Sequence, residues 1–220
     1  MGGRGNASGF RAATQPDTRD WEQTPPDGYR AFTFYESQDG SADAGMGLGN
    51  GGETDQWQQG LTAEEFAAVR DYTTAGFKAM NQALRSGGAV TPAMAALTQA
   101  LDRFTLSHGI ITHRVSTADM LGGARTVDEI NALIGHVVSD SGFTSSSVGF
   151  GAFDAYDDVA YHIRVPKGAR AGAYVNGVSS HPDEAEFLFN RGGMYRILGA
   201  YTDSDGMVHV NLEWVGRRTD

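Results

Sequence analysis

A chain of 220 residues with 40% hydrophobic content and a formal net charge of −10 can build one sizeable core, but lacks the basic surface that sequence-independent nucleic-acid binding requires. The absence of cysteine removes disulfides, thiol nucleophiles and thiolate metal sites. The first residues hold no apolar signal-peptide core and no uncharged apolar run approaches a membrane span, so the expectation is a soluble chain without membrane insertion, secreted or delivered as an effector or carried on a phage-like particle.

Residues 1–60 are rich in Gly, Asp, Gln, Ser and Thr and read as a flexible tail or linker, followed by one domain over 61–220. Within that tail, Tyr29 to Tyr35 is aromatic enough to dock as an extended segment. From Leu61 the texture changes. Thr62 with Glu65 makes a capping box, and Phe66, Val69, Tyr72 or Thr73, Phe77, Met80 and Leu84 recur at helical spacing until Gly87-Gly88. A second helix is expected from Thr91-Pro92 through Leu97, Leu101 and Phe104, with a short third helix capped by Thr126 and Glu129 and running to His136. Strands are expected at 109–115, 142–147, 159–165, 172–175, 186–189, 194–201 and 207–215, with Asp203 to Gly206 as a hairpin turn. Helices first and strands later indicate an α+β domain.

Three features carry chemistry. Glu184 and Glu186 stand two apart at the start of an apolar run, and on an extended chain that spacing is roughly 6.6 Å with both carboxylates on one face. Such a pair repels itself and gains nothing in stability, although Glu-x-Glu also occurs on solvated edge strands. Ser145, in the run Phe143 to Ser147, has a hydroxyl that donates and accepts together and is able to hold a carboxylate such as Glu186 in one rotamer. Arg114 ends an apolar strand with a guanidinium fork suited to pyrophosphate oxygens. Taken singly, each also reads as ordinary surface.

The order Arg114, then aromatic-x-Ser-Ser-Ser, then Glu-x-Glu resembles the pattern of the mono-ADP-ribosyltransferases, in the branch containing clostridial binary-toxin components and related bacterial exoenzymes. Asp71 to Asn81 is similar to that family's first helix, and Ile163 to Gly168, Gly172 to Val175 and Glu186 to Gly192 are similar to the strands around its glutamate motif. The resemblance runs from Leu61 to Val215. It implies two packed β-sheets with NAD in the cleft between them and helices alongside. It further implies an enzyme that releases nicotinamide from NAD and transfers ADP-ribose to an arginine of a target protein.

Carried over residue by residue, Glu186 would stabilise the oxocarbenium-like ribose, Glu184 would orient and deprotonate the acceptor arginine, and Ser145 would orient Glu186. Arg114 would clamp a phosphate, with Tyr72 and Asn81 as further NAD contacts. Phe153 is favoured over Phe150 and Tyr156 to stack on nicotinamide. The sequence departs from the pattern in three places: Ser146 replaces a threonine, Thr112-His113 precede the arginine, and Val115 stands where some relatives have a second arginine, a loss that would either weaken NAD affinity or shift phosphate binding to Arg164, Arg170 or Arg191. His113 alternates away from Arg114 and reads as packing or surface.

No histidine spacing implies a metal, and Asp203 to Gly206 lacks the later glutamate of a calcium loop. Two alternatives stand beside the transferase: an NAD glycohydrolase that uses water as acceptor, and a catalytically silent phage structural protein of the same fold, to which the glycine-rich start bears a slight resemblance.

Overall fold

The computed structural model describes residues 15–33, 53–150 and 159–218. Short strands β1 (Tyr29–Arg30) and β2 (Phe32–Thr33) precede helix α1 (Glu53–Gln59). A long rod follows, made of α2 (Ala63–Asp71), a π-helical turn (Tyr72–Gly76) and α3 (Phe77–Arg85). Then come α4 (Pro92–Asp102), β3 (Gly109–Ser116), α5 (Val127–Asn131), β4 (Val137–Ser139), β5 (Thr144–Ser147) and β6 (Gly149–Phe150). The chain closes with β7 (Val159–Val165), β8 (Gly172–Tyr174), β9 (Glu186–Phe189), β10 (Gly193–Thr202) and β11 (Val208–Arg217).

The strands run in the order β4-β10-β11-β7-β3-β5-β9-β8, with β1 added in parallel to β3 and β2 paired with β6. Two sections of this path meet at one register pair, His113 of β3 with Ser147 of β5. Beyond that joint the three-strand section turns back on the five-strand section, so that Phe189 of β9 lies edge-on to Tyr195 of β10 with ring centroids 5.6 Å apart. Both rings are fully buried. The result is the pair of packed layers expected of this fold class.

Three capping boxes start α2, α4 and α5, each with a threonine side chain accepting a backbone N–H in the first turn. The stripe predicted along the rod is only partly internal: Val69, Tyr72, Met80 and Leu84 are buried, whereas Phe66 and Phe77 are exposed. The π turn adds one residue to the turn, which lets Tyr72 and Met80 face inward together. Phe77 begins α3 and is exposed, its ring edge-on to Tyr72 with centroids 6.3 Å apart.

Three other expectations change. The third helix stops at Asn131 and residues 137–139 form a strand, paired antiparallel with β10. The segment 15–30 is packed on the large sheet, with Trp21 fully buried, and the buried Asn211 amide donates to the Asp17 and Arg19 carbonyls at 2.9 Å each. Helix α1 likewise belongs to the domain: Trp57 is buried against Phe104, and its indole N–H donates to the Ala100 carbonyl at 2.7 Å. A tail drawn over 1–60 therefore misplaces these two pieces, whose single tryptophans bury large apolar area within polar surroundings. Among the described residues no helix is long and apolar enough to cross a membrane.

Candidate active site

Strands β3, β5 and β9 bring Arg114, Ser145 and Glu186 together. Arg114 donates from Nη1 to the Ser145 carbonyl at 2.7 Å and from Nη2 to the Ser116 hydroxyl at 3.3 Å. The three serines divide by strand alternation. Ser145 presents its hydroxyl to Glu186 and Tyr72. Ser146 points into the core and donates to the Phe187 carbonyl at 2.8 Å, and Ser147 accepts the Gly149 N–H at 3.1 Å.

Glu186 is 5% exposed. Burial pushes its carboxyl up to about 7, the Ser145 hydrogen bond opposes that rise, the nearby Glu184 charge adds to it, and His181 and Arg114 counter it. A buried carboxyl with its value raised to about 7, beside a hydroxyl and within the field of an arginine, has the character of a working group more than of a structural one.

Glu184 does not share the strand with Glu186. It closes a 3₁₀ turn (Pro182–Glu184), and Ala185 takes a left-handed conformation with φ 46° and ψ 48°. It is the one non-glycine residue with positive φ among those described. The extended Glu-x-Glu reading is thus corrected: the kink leaves Glu186 inside the sheet and Glu184 exposed at its rim. Left-handed alanine is strained by about 1–2 kcal/mol. The conformation is pinned because the Ala185 side chain is fully buried and its carbonyl accepts the Val148 N–H at 3.0 Å. Conformational strain concentrated at one residue between two acidic groups fits a positional requirement.

Tyr72 and Asn81 back this arrangement from the rod. Asn81 is buried, donating from Nδ2 to the Tyr72 hydroxyl and to the Phe143 carbonyl at 3.0 Å each, and accepting the Phe143 N–H at 2.8 Å. Its polar atoms are committed to holding the strand that carries Ser145. Tyr72 reaches the same place, and burial raises its phenol above the ordinary value.

Arg114 also lines a cleft of about 290 Å³ together with Arg85, Thr117, Asp119, Asp140 and Tyr161. Arg85 was not anticipated from sequence. It sits in the last turn of α3 and is clamped by Asp140 through two contacts of 2.9 and 2.7 Å. Asp140 also accepts the Gly142 N–H and the Thr144 hydroxyl; although burial works against it, the Arg85 guanidinium and these donors hold its carboxyl below the ordinary value. The alternative arginines lie elsewhere: Arg164 pairs with Glu213 at 2.9 Å and stacks near Trp21 and Tyr29, Arg191 contacts Thr98, and Arg170 is exposed outside the cleft lining. Phe153 and Tyr156 lie outside the described residues, and of Phe150 only the backbone, paired with Thr33, is described.

Residues 50–214 match the family model described as ADP-ribosyltransferase exoenzyme. The NAD(+)–arginine ADP-ribosyltransferase EFV of Enterococcus faecalis is 31% identical over 158 residues, covering 66% of this chain and 31% of the relative. A putative NAD(+)–arginine ADP-ribosyltransferase of Mycobacterium avium is 27% identical over 65% of this chain and 17% of its own length. The chain therefore spans about a third or less of the curated relatives it matches. Among solved structures, Plx2a, an ADP-ribosyltransferase toxin from Paenibacillus larvae, superposes with TM-score 0.70 at 22% identity, covering 81% of this chain and 97% of that one. C3stau2 from S. aureus, solved with NAD, gives TM-score 0.68 at 17% identity over 86% and 99%.

Proposed function

We propose, for a chain that belongs to the ADP-ribosyltransferase exoenzyme family, that it splits NAD and transfers the ADP-ribose to an arginine side chain of another protein. The bond from ribose to nicotinamide breaks with its electron pair leaving on nicotinamide, the sugar carries the positive charge, and a guanidinium nitrogen of the acceptor forms the new bond as it gives up a proton.

The observation that carries this reading is the seating of Glu186. Its buried carboxyl, with the Ser145 hydroxyl near it, would hydrogen-bond the nicotinamide-side ribose and stabilise positive charge on the sugar in a site poor in water. Arg114, open to the cleft, supplies a fork for a phosphate of NAD, and Arg85 adds a second guanidinium to the same lining. Asn81 acts as support for the serine strand. Glu184, at the exposed rim, is placed to meet an acceptor arriving from outside and to take its proton. The arginine named for the Enterococcus relative supports that choice of acceptor.

The test is nicotinamide release by the Glu186→Gln variant, which is isosteric but uncharged. A fall on the order of a hundredfold or more is expected from removing such a preorganised charge. A rate within about twofold of the parent overturns the assignment.

A further inference from the structure

The Arg114 guanidinium stands between two halves of the site. Its Nη1 donates to the Ser145 carbonyl at 2.7 Å, on the side where the Ser145 hydroxyl meets Glu186. Its Nη2 donates at 3.3 Å to the Ser116 hydroxyl, and Arg114 and Ser116 line the cleft of about 290 Å³ together. Neither Glu186 nor Ser145 belongs to the described lining of that cleft, which continues past Ser116 to Thr117, Asp119 and Met120. Its volume lies just below the range of about 300–1,000 Å³ usual for small-molecule pockets, so it suits one half of a dinucleotide and not the whole. With nicotinamide and its ribose at Glu186 and the phosphates on Arg114, the part of NAD left for this cleft is adenosine.

Short contacts set the wall beyond Arg114. The Tyr161 hydroxyl donates to the Thr117 carbonyl at 2.8 Å, and the Thr117 hydroxyl donates to Asp119 Oδ2 at 2.9 Å. Asp119 is exposed in a 3₁₀ turn (Ala118–Leu121), and a carboxylate with two oxygens keeps acceptor capacity beyond that one bond. Half-buried Met120 and buried Ile163 supply apolar surface to the same cleft, where a base would lie.

Charge decides what this acid can accept. Among the described residues the lining carries two guanidiniums, Arg85 and Arg114, and two carboxylates, Asp119 and Asp140. Asp140 grips Arg85 through contacts of 2.9 and 2.7 Å and acts on it more strongly than Asp119 does. The phosphates of NAD take up Arg114. Asp119 is then the charge left over, with neither guanidinium of the lining in contact with it. A ribose offers such a group hydroxyl donors, whereas a phosphate on the 2′ oxygen brings a charge of about −1.5 to −2 against it.

We propose that Asp119 makes the site selective for NAD over NADP, by accepting a hydroxyl of the adenosine ribose and repelling a phosphate at its 2′ position. The proposal rests on the NAD-splitting reading above, which supplies the direction in which the dinucleotide lies across Arg114.

The test uses the full chain and two ligands without nicotinamide, so that binding is read in the absence of turnover. ADP-ribose and ADP-ribose 2′-phosphate are titrated by calorimetry into the parent and into Asp119→Asn, an exposed exchange that leaves the core as it is and keeps an acceptor oxygen without the charge. The parent is expected to prefer ADP-ribose by at least about thirtyfold, and the variant to lose about tenfold or more of that preference. Added salt should narrow the preference of the parent and leave that of the variant nearly unchanged, because screening acts on the charge alone. A parent that binds the two ligands alike, or a variant with the parent's ratio, overturns the proposal. Nicotinamide release from NAD by the parent checks the underlying reading separately: no release, with the preference for ADP-ribose intact, sinks that reading and leaves the selectivity of Asp119 standing.

Discussion

The Asn81 side chain brackets Phe143, accepting its N–H at 2.8 Å and donating to its carbonyl at 3.0 Å, much as a neighbouring strand would. One amide thus starts β5 from a helix, two residues ahead of Ser145. Asn81→Ala strands the buried Phe143 N–H and leaves the Phe143 carbonyl with only the Tyr72 hydroxyl as donor, at a cost of about 1–3 kcal/mol. A urea midpoint lowered accordingly is expected, with slower nicotinamide release. A loss under about 1 kcal/mol would show that β5 does not depend on this amide.

Nicotinamide release should climb with pH through about 7, because in the proposed reaction Glu186 acts in its ionised form and its folded-state value lies there. The same shift acts on stability. A carboxyl raised from 4.5 to about 7 makes the folded state progressively less favourable as pH rises across that interval, by on the order of 3 kcal/mol when fully ionised. Glu186→Gln is therefore expected to be inactive yet more stable than the parent at pH 8, with the gap closing by pH 5. Denaturation curves at the two pH values check this, and a variant less stable at pH 8 contradicts it.

Glu184→Gln separates the two halves of the proposed reaction. Because Glu184 stands outside the strand, its neutralisation should abolish transfer of labelled ADP-ribose to an arginine-rich protein while much of the NAD hydrolysis survives. Equal loss of both activities would place Glu184 in NAD cleavage instead.

The packed segment 15–30 offers a stability test away from the cleft. A Cβ on Gly199 would meet the Asp17 backbone oxygen at 2.7 Å and nitrogen at 2.8 Å, neither of which has room to yield. Gly199→Ala should lift this segment, expose Trp21, and lose roughly 2–3 kcal/mol of apolar burial, while the residues lining the cleft keep their places. Red-shifted fluorescence with nicotinamide release retained is the expected pair of observations; an unshifted spectrum would mean that the segment holds by other contacts.

The elements easiest to read from sequence were those with local chemical signals. Thr62 with Glu65 and Thr126 with Glu129 announce helix starts, and the strand expected at 159–165 agrees with its observed bounds. The π turn was hidden because an inserted residue shifts a periodic pattern without changing its composition, which left Tyr72 and Thr73 as alternatives for the inward position. Ala185 gave no hint of a left-handed turn, since alanine carries none of the features that mark such positions; the kink is imposed by burial of its side chain and by the Val148 contact, both set by tertiary packing. Arg114, Ser145 and Glu186 were found through a family pattern, whereas Arg85 looked like any charged residue at a helix end until Asp140 folded against it.

The turn at Ala185 divides responsibility between neighbours in the chain. Glu186 is locked into the sheet, where a side chain of another size disturbs the core, but Glu184 hangs from a surface turn and can be replaced without rewriting the strand behind it. On the proposed roles, a scaffold divided in this way ties NAD cleavage to the packed strand and leaves the choice of acceptor to a position whose exchange the core does not feel.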